Sequence, residues 1–210
     1  MAEAAALPLV GITAWEALFD RLHITAGQTV LTLGGAGGVG HIAVQLANAH
    51  GALVYATVSG AEKAKLVADL GAEPIDRFKE TPAAYVERLT GGRGFDAVFD
   101  TVGGENIVSA FESAKLNGQV ATTVSIATID LTLAHVRSLS LHVVYMLIPM
   151  IHDVGRERHG EILRGLASLA DGGELRPVIE RVYPLAHVAD AHRHVESGQA
   201  VGKVVVSVDD

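Results

Sequence analysis

Cysteine is absent from the 210 residues, which excludes disulfides and thiolate-ligated zinc and fits a reducing cytosol. Basic residues are scarce: 16 Lys and Arg stand against 24 Asp and Glu, for a formal net charge of -8. Backbone-phosphate binding needs the opposite balance, so no nucleic-acid partner is expected. No uncharged apolar run approaches the roughly 20 residues of a membrane span. The opening MAEAAALPLVG has no basic stretch before its apolar residues, so no secretory signal is read there. Internal repeats, low-complexity tracts and obvious linkers are also missing. What remains is 49% hydrophobic and 19% charged, enough to bury a full core. The exclusions point to a soluble, cytoplasmic protein that does not associate with membranes.

Strand and helix patterns then alternate along the chain. Thr13-Ala14-Trp15-Glu16 fits a capping box, with Trp15, Leu18, Phe19 and Leu22 on one helical face. Residues 29–33 read as a first strand. Val39, Ile42, Ala43, Leu46 and Ala47 follow at helical spacing, and Gly51 supplies a stop. A strand at 53–58 precedes a second possible capping box at Ser59–Glu62, whose helix ends near Gly71. A short strand at 73–75 leads to a helix with Thr81 as N-cap and Pro82 at its first position. Further strands are expected at 95–100, 119–124 and 140–146. Ile107, Ala110, Phe111 and Ala114 mark a helix that stops at Asn117-Gly118, and 154–170 reads as another. Repeated strand–helix units imply right-handed crossovers and a parallel sheet covered on both faces. The expected fold is α/β, a doubly wound parallel sheet (Rossmann fold) with a C-terminal strand–helix–strand appendage.

Gly35-Ala36-Gly37-Gly38-Val39-Gly40 satisfies G-x-G-x-x-G where that pattern has meaning, after a first strand and opening a crossover helix. On this reading Gly35 permits the tight turn, Gly37 leaves room for a pyrophosphate, and Gly40 lets the helix pack closely. The helix N-terminus offers unpaired N–H groups and partial positive charge. A purely structural glycine turn is the alternative. Where an NAD site usually carries Asp or Glu at the end of the second strand, this chain has Ser59, with Lys63 four residues on and Arg77 and Lys79 after the third strand. That favours NADP(H), although Lys63 and Lys65 also fit ordinary solvated helix positions.

Together, LPLVGITAWEAL, GGAGGVGHIAVQLA, FDAVFDTVGG and the terminal GKVVVSV resemble the medium-chain dehydrogenase/reductases, within them the zinc-independent quinone oxidoreductase and enone reductase branch. The resemblance implies hydride transfer from NADPH to a quinone or activated double bond. It implies cofactor contacts at Gly37, Gly38, Val39 and Gly40 for the pyrophosphate, and at Ser59 and Lys63 for the 2′-phosphate. Phe78 stands where a tyrosine often assists. Thr101, Val102 and Gly103 would line the adenine side. Ser125, Ile126, Met146 and Ile148 would approach the nicotinamide, with Thr13 near its ring. Ala200 replaces an asparagine sometimes found before the terminal Gly-Lys. The resemblance further implies a homodimer through the edge strand 140–146. It divides the chain into an inter-domain segment at 1–25, the NADP-binding domain at 26–175, and a segment at 176–210 that pairs with a preceding catalytic domain. That domain is expected to be missing, so the chain reads as shortened or as a fragment, and a binding module that transfers no hydride is the alternative.

No general base is named, because hydride transfer to a conjugated acceptor is largely the cofactor's chemistry. Of the ten histidines, His187, His192 and His194 lie close in sequence, but offsets of five and two make no i, i+4 ligand pair, and no metal site is expected. His142, within the expected edge strand, reads as facing a neighbouring strand or subunit. Ser125 lacks a glycine elbow, against a hydrolase. A class I methyltransferase is disfavoured by the missing acidic residue after the second strand.

Overall fold

The computed structural model describes residues 1–208. A short helix, α1 (Ala2–Ala6), leads into α2 (Pro8–Trp15), which continues directly as a π-helical stretch, Glu16–Arg21. Pro8 sits in the first turn of α2, where its missing N–H removes no helix bond. Thr13 is therefore mid-helix rather than a cap: its Oγ1 donates to Leu9 O at 2.7 Å.

The alternation that follows is β1 (Thr29–Leu33), α3 (Gly40–Ala49), β2 (Leu53–Val58), α4 (Ala61–Asp69), β3 (Glu73–Asp76), α5 (Pro82–Thr90) and β4 (Phe95–Asp100). It continues with α6 (Asn106–Ser113), β5 (Ala114–Thr122), α7 (Thr132–Val136), β6 (Ser140–Val143), α8 (Ile148–His152) and α9 (Arg156–Asp171). Six strands form one sheet in the order β3-β2-β1-β4-β5-β6, every pair parallel. The order reverses between β1 and β4. That switch leaves a crevice at the carboxyl ends of the strands.

Side-chain alternation divides the core into two layers. Val30, Val54, Ala56, Ala97, Phe99 and Ala121 pack with α2, α3 and α9, whereas Leu31, Leu33, Val98 and Val120 pack with Tyr85, Ile107 and Phe111 from α5 and α6. Burial on both faces is why these strands read as continuous apolar runs. α2 and α9 approach closely at two glycines: an added Cβ on Gly11 would lie 2.6 Å from Leu166 Cδ1, and one on Gly165 3.0 Å from the Trp15 ring.

Several boundaries differ from expectation. α4 is capped by Gly60, at φ +93, without a side-chain bond, so Ser59 stays free of the helix. α6 ends at Ser113 and β5 begins at once, its pairing with β4 slipping between Phe95 and Ala97. Asn117, at φ +56, lies inside that irregular stretch, its N–H held by Arg137 O. β6 is shorter than residues 140–146, and its outer edge pairs with no described strand.

The appendage comprises β7 (Ile179–Pro184), α10 (Val188–Glu196) and β8 (Lys203–Ser207). β7 and β8 pair in parallel as a separate sheet, against which α1 packs. No helix among the described residues is long and apolar enough to cross a membrane.

Candidate functional site: a dinucleotide cleft

The crevice is built from the β1–α3 turn outward. Gly34 takes the left-handed conformation, φ +78, one residue before the expected Gly35. Its N–H donates to Thr57 Oγ1 and the Gly35 N–H to Thr57 O, both at 3.0 Å, so the turn hangs from β2. A Cβ on Gly35 would lie 2.5 Å from Ala56 Cβ, and one on Gly40 only 2.2 Å from Gly34 O. Those two glycines are thus fixed by the protein's own packing. Gly37 and Gly38 are different: added Cβ atoms there would meet nothing nearer than 3.2 and 3.5 Å. α3 starts at Gly40 with no side-chain cap, leaving its positive end for an anion.

A cleft of about 780 Å³ opens over this turn. Gly34 and Ala36–Val39 form its floor, Thr57, Val58 and Ser59 one wall, and Thr101, Val102 and Asn106 the other. Val195, Gly198 and Ala200 close it from the appendage, which is tied to the turn by the Gly202 N–H donating to Ala36 O at 2.8 Å. Among the described residues, Lys63 and Arg77 are its charged lining residues, and no carboxylate lines it. The Arg77 guanidinium lies 4.4 Å from the Phe78 ring centroid. Phe78 itself is 72% exposed and outside the lining. Asp76 accepts from the Phe78 N–H at 3.1 Å and pairs with Lys79 at 3.1 Å; these hold its carboxyl below the ordinary range.

Asp100 organises the opposite wall. It is fully buried at the end of β4, and its Oδ1 accepts from the Val102 and Gly103 N–H groups at 3.0 Å. Its Oδ2 accepts from Thr122 Oγ1 at 3.1 Å, while Thr101 Oγ1 donates to Leu33 O at 2.7 Å. Beneath the floor, His41 is fully buried and its Nδ1 is 2.9 Å from Gly37 O. A donated bond there leaves neutral Nε2 as an acceptor with no partner. Burial, followed at a distance by the charge of Lys203, pushes the His41 pKa down.

Of the residues expected to touch a cofactor, Gly37, Gly38, Val39, Ser59, Lys63, Thr101 and Val102 meet in the cleft. Gly35 and Gly40 support it from behind. Thr13, Phe78, Ser125, Ile126, Met146 and Ile148 lie outside its lining. Ser125 and Ile126 follow β5 at the strands' carboxyl end, Ile126 99% exposed. Met146 is buried beside a second, apolar hollow with Leu9, Ile12 and His159, and Ile148 is exposed in α8. Gly34, Thr57, Asp100 and Asn106 escaped the sequence reading. A hydroxyl at the end of β2 and a carboxylate at the end of β4 are the signals that mark two of them.

Strand order 3-2-1-4-5-6 with a glycine turn at the point of reversal defines a dinucleotide-binding α/β fold. A model of the zinc-binding dehydrogenase family matches residues 70–206, and the chain belongs to that family, the medium-chain dehydrogenase/reductases. It is 36% identical to highly reducing polyketide synthase ZEA2 of Gibberella zeae, over 99% of this chain and 9% of that protein. It is 32% identical to the mitochondrial NAD(P)H oxidoreductase RTN4IP1 of Danio rerio, over 98% of this chain and 57% of that protein. The chain therefore spans only part of these relatives.

Among solved structures, an alcohol dehydrogenase superfamily protein of Novosphingobium aromaticivorans superposes with a TM-score of 0.91 at 36% identity, covering 99% of this chain and 64% of that one. A Pseudomonas syringae quinone oxidoreductase gives 0.88 at 28% identity, covering 97% and 63%. A mycobacterial protein complexed with NADPH gives 0.87 at 30%, covering 98% and 64%.

The cleft fits a dinucleotide: its floor is bare backbone at an uncapped helix start, and its charged lining is cationic. A zinc ion does not fit. The chain has no cysteine, and no three His, Asp or Glu side chains converge among the described residues. His187 and His194 take separate partners, Asp190 and Glu180, at 3.0 Å each.

Proposed function

We propose that this chain is the cofactor-binding domain of an NADPH-dependent oxidoreductase that reduces a quinone or an activated double bond. One observation carries the NADPH preference: beside the end of β2 the cleft is lined by Ser59, by Lys63 of α4 and by Arg77 just after β3, and by no carboxylate among the described residues. An acid there would bond the ribose of NAD and repel a 2′-phosphate, whereas a hydroxyl and two cations do the reverse. The NADPH-bound relative and the quinone oxidoreductase relative support the reading.

Bound NADPH would supply the hydride. The chain's own residues bind and orient it. Gly37 and Gly38 let the pyrophosphate approach backbone N–H groups at the start of α3. Ser59 and Lys63, with Arg77 steadied on Phe78, would hold the 2′-phosphate. The turn that Asp100 fixes would place Thr101 and Val102 along the adenosine. The nicotinamide would extend past the cleft toward Ser125 and Ile126, with Thr13, Met146 and Ile148 beyond. Orientation of this kind, rather than a proton-transfer group, is what hydride delivery requires of the protein. The cysteine-free composition supports a cytoplasmic location. The open edge of β6, with Val143 and Tyr145 exposed, supports a homodimer; a monomer in sedimentation velocity at assay concentration would contradict it.

The test is NADPH oxidation with quinone and α,β-unsaturated ketone acceptors, followed by nicotinamide absorbance. Acceptor-dependent oxidation is expected. Tight NADPH binding without turnover for any acceptor would reduce the chain to a binding module.

A further inference from the structure

The appendage closes the cleft, yet little apolar burial holds it. From β7 to the end of β8, Ala191 and Val205 are the only buried side chains among the described residues, and Val182, Leu185, Val188 and Val195 are exposed. A chain of hydrogen bonds stands in for a core. Glu180 of β7 accepts from the Val201 N–H at 3.1 Å, and the same oxygen pairs with His194 Nε2 of α10 at 3.0 Å. His194 Nδ1 lies 3.1 Å from the Tyr183 hydroxyl, to which the Arg181 guanidinium donates at 3.2 Å. Arg181 can only donate, so Tyr183 donates to Nδ1 and the proton on Nε2 is donated to Glu180. Two donors, one on α10 and one on the segment between α10 and β8, thus meet on one carboxylate oxygen. That segment carries Gly198 and Ala200 into the cleft lining, and its Gly202 N–H donates to Ala36 O of the glycine turn at 2.8 Å. Glu180 lines no part of the cleft, but it holds the residue next to this tie.

We propose that Glu180 is a positioning residue for the dinucleotide: by bridging His194 and the Val201 N–H it keeps residues 198–202 seated on the glycine turn, so that the appendage wall is in place before the nucleotide arrives. The proposal rests on the reading of the cleft as a dinucleotide site. A wall seated only part of the time weakens binding in proportion to the seated fraction. It does so for NADPH and NADH alike, because seating precedes recognition of either.

The test is fluorescence titration of the 210-residue chain with NADPH and with NADH, alongside amide hydrogen exchange read by NMR. The variants are Glu180→Ala, Glu180→Gln, His194→Phe, the double variant Glu180→Ala/His194→Phe, and His187→Asn, with far-UV circular dichroism and urea unfolding to check each fold. Glu180→Ala is expected to weaken both nucleotides by the same factor, about tenfold if the seated fraction falls to about one tenth. It also speeds exchange of the Gly202 amide, whose own acceptor is untouched. Saturating NADPH slows that exchange again, since a ligand that needs the seated wall stabilises it. Glu180→Gln, which keeps an acceptor oxygen, restores most of the affinity, and the double variant binds no more weakly than Glu180→Ala alone. His187→Asn breaks another His–carboxylate pair of the appendage, with Asp190 at 3.0 Å, and leaves affinity unchanged. Unchanged affinity in folded Glu180→Ala, a loss confined to one nucleotide, or Gly202 exchange as slow as in the wild type overturns the proposal. If Glu180→Ala does not fold, His194→Phe carries the test with the same direction of change. If the wild type binds NADPH and NADH equally while Glu180→Ala loses both, the NADPH preference fails and the role of Glu180 stands. If the wild type binds neither, the cofactor reading falls and the proposal with it.

Discussion

An added methyl group separates the glycines of the turn into two kinds. At Gly40 it would drive into the Gly34 carbonyl, whereas at Gly38 it meets only ordinary contacts. Gly40→Ala is expected to destabilise the fold by about 1–3 kcal/mol, since the overlap is with backbone that cannot swing aside. Gly38→Ala is expected to stay within about 0.5 kcal/mol of the wild type, as substitutions away from special contacts do, yet to lose nucleotide binding. Urea unfolding and NADPH titration on the same two proteins check this. Equal loss of stability in both would make the whole turn structural. The motif spacing already set Gly40, kept for packing, apart from Gly37, left bare for a pyrophosphate; what it could not place is the left-handed residue. G-x-G-x-x-G registers on Gly35, but positive φ falls on Gly34 because its N–H must reach Thr57.

At the scale of elements, what the sequence made legible follows from burial. β1, β2 and β4 are covered on both faces, so their apolar runs end where the strands end. α5 was equally legible: Thr81 accepts from the Ala84 N–H, Pro82 follows, and Gly91 closes the helix at φ +59. Thr81→Ala is expected to cost about 1 kcal/mol in urea unfolding, with cofactor affinity unchanged because α5 lines no part of the cleft. A cost near zero would mean that tertiary packing alone fixes the start of α5. By contrast, α7 and α8 have five residues each, too few to display a helical period. The start of α2 was hidden by another local signal. Thr13 and Glu16 match a capping box, but Pro8 begins the helix earlier and the apolar stretch between simply continues it. Asn106 belongs to the cleft because the crossover after β4 brings the start of α6 beside the turn, which local pattern alone does not encode.

For the whole molecule, acid sensitivity follows from His41. Its pKa is lowered from the ordinary 6.5, chiefly by burial. Above 6.5 folded and unfolded states are both neutral there. As pH falls below it, the unfolded chain takes up a proton that the native state refuses, so stability declines until the native pKa is reached. His142 shifts in the same direction, by burial first and then by Arg21 and His23. The urea midpoint should therefore fall between about pH 7 and 5.5, and His41→Gln, which keeps a donor for Gly37 O, should flatten that slope. An unchanged slope in the variant would contradict this assignment.

On the proposed function, the cleft selects NADPH over NADH by the charge beside the end of β2. The most direct test of that selection is calorimetric titration of the chain with NADPH and NADH side by side. Tighter binding of NADPH, with the preference abolished in Lys63→Met, is the predicted result. Equal affinity for the two nucleotides in the wild type would contradict it.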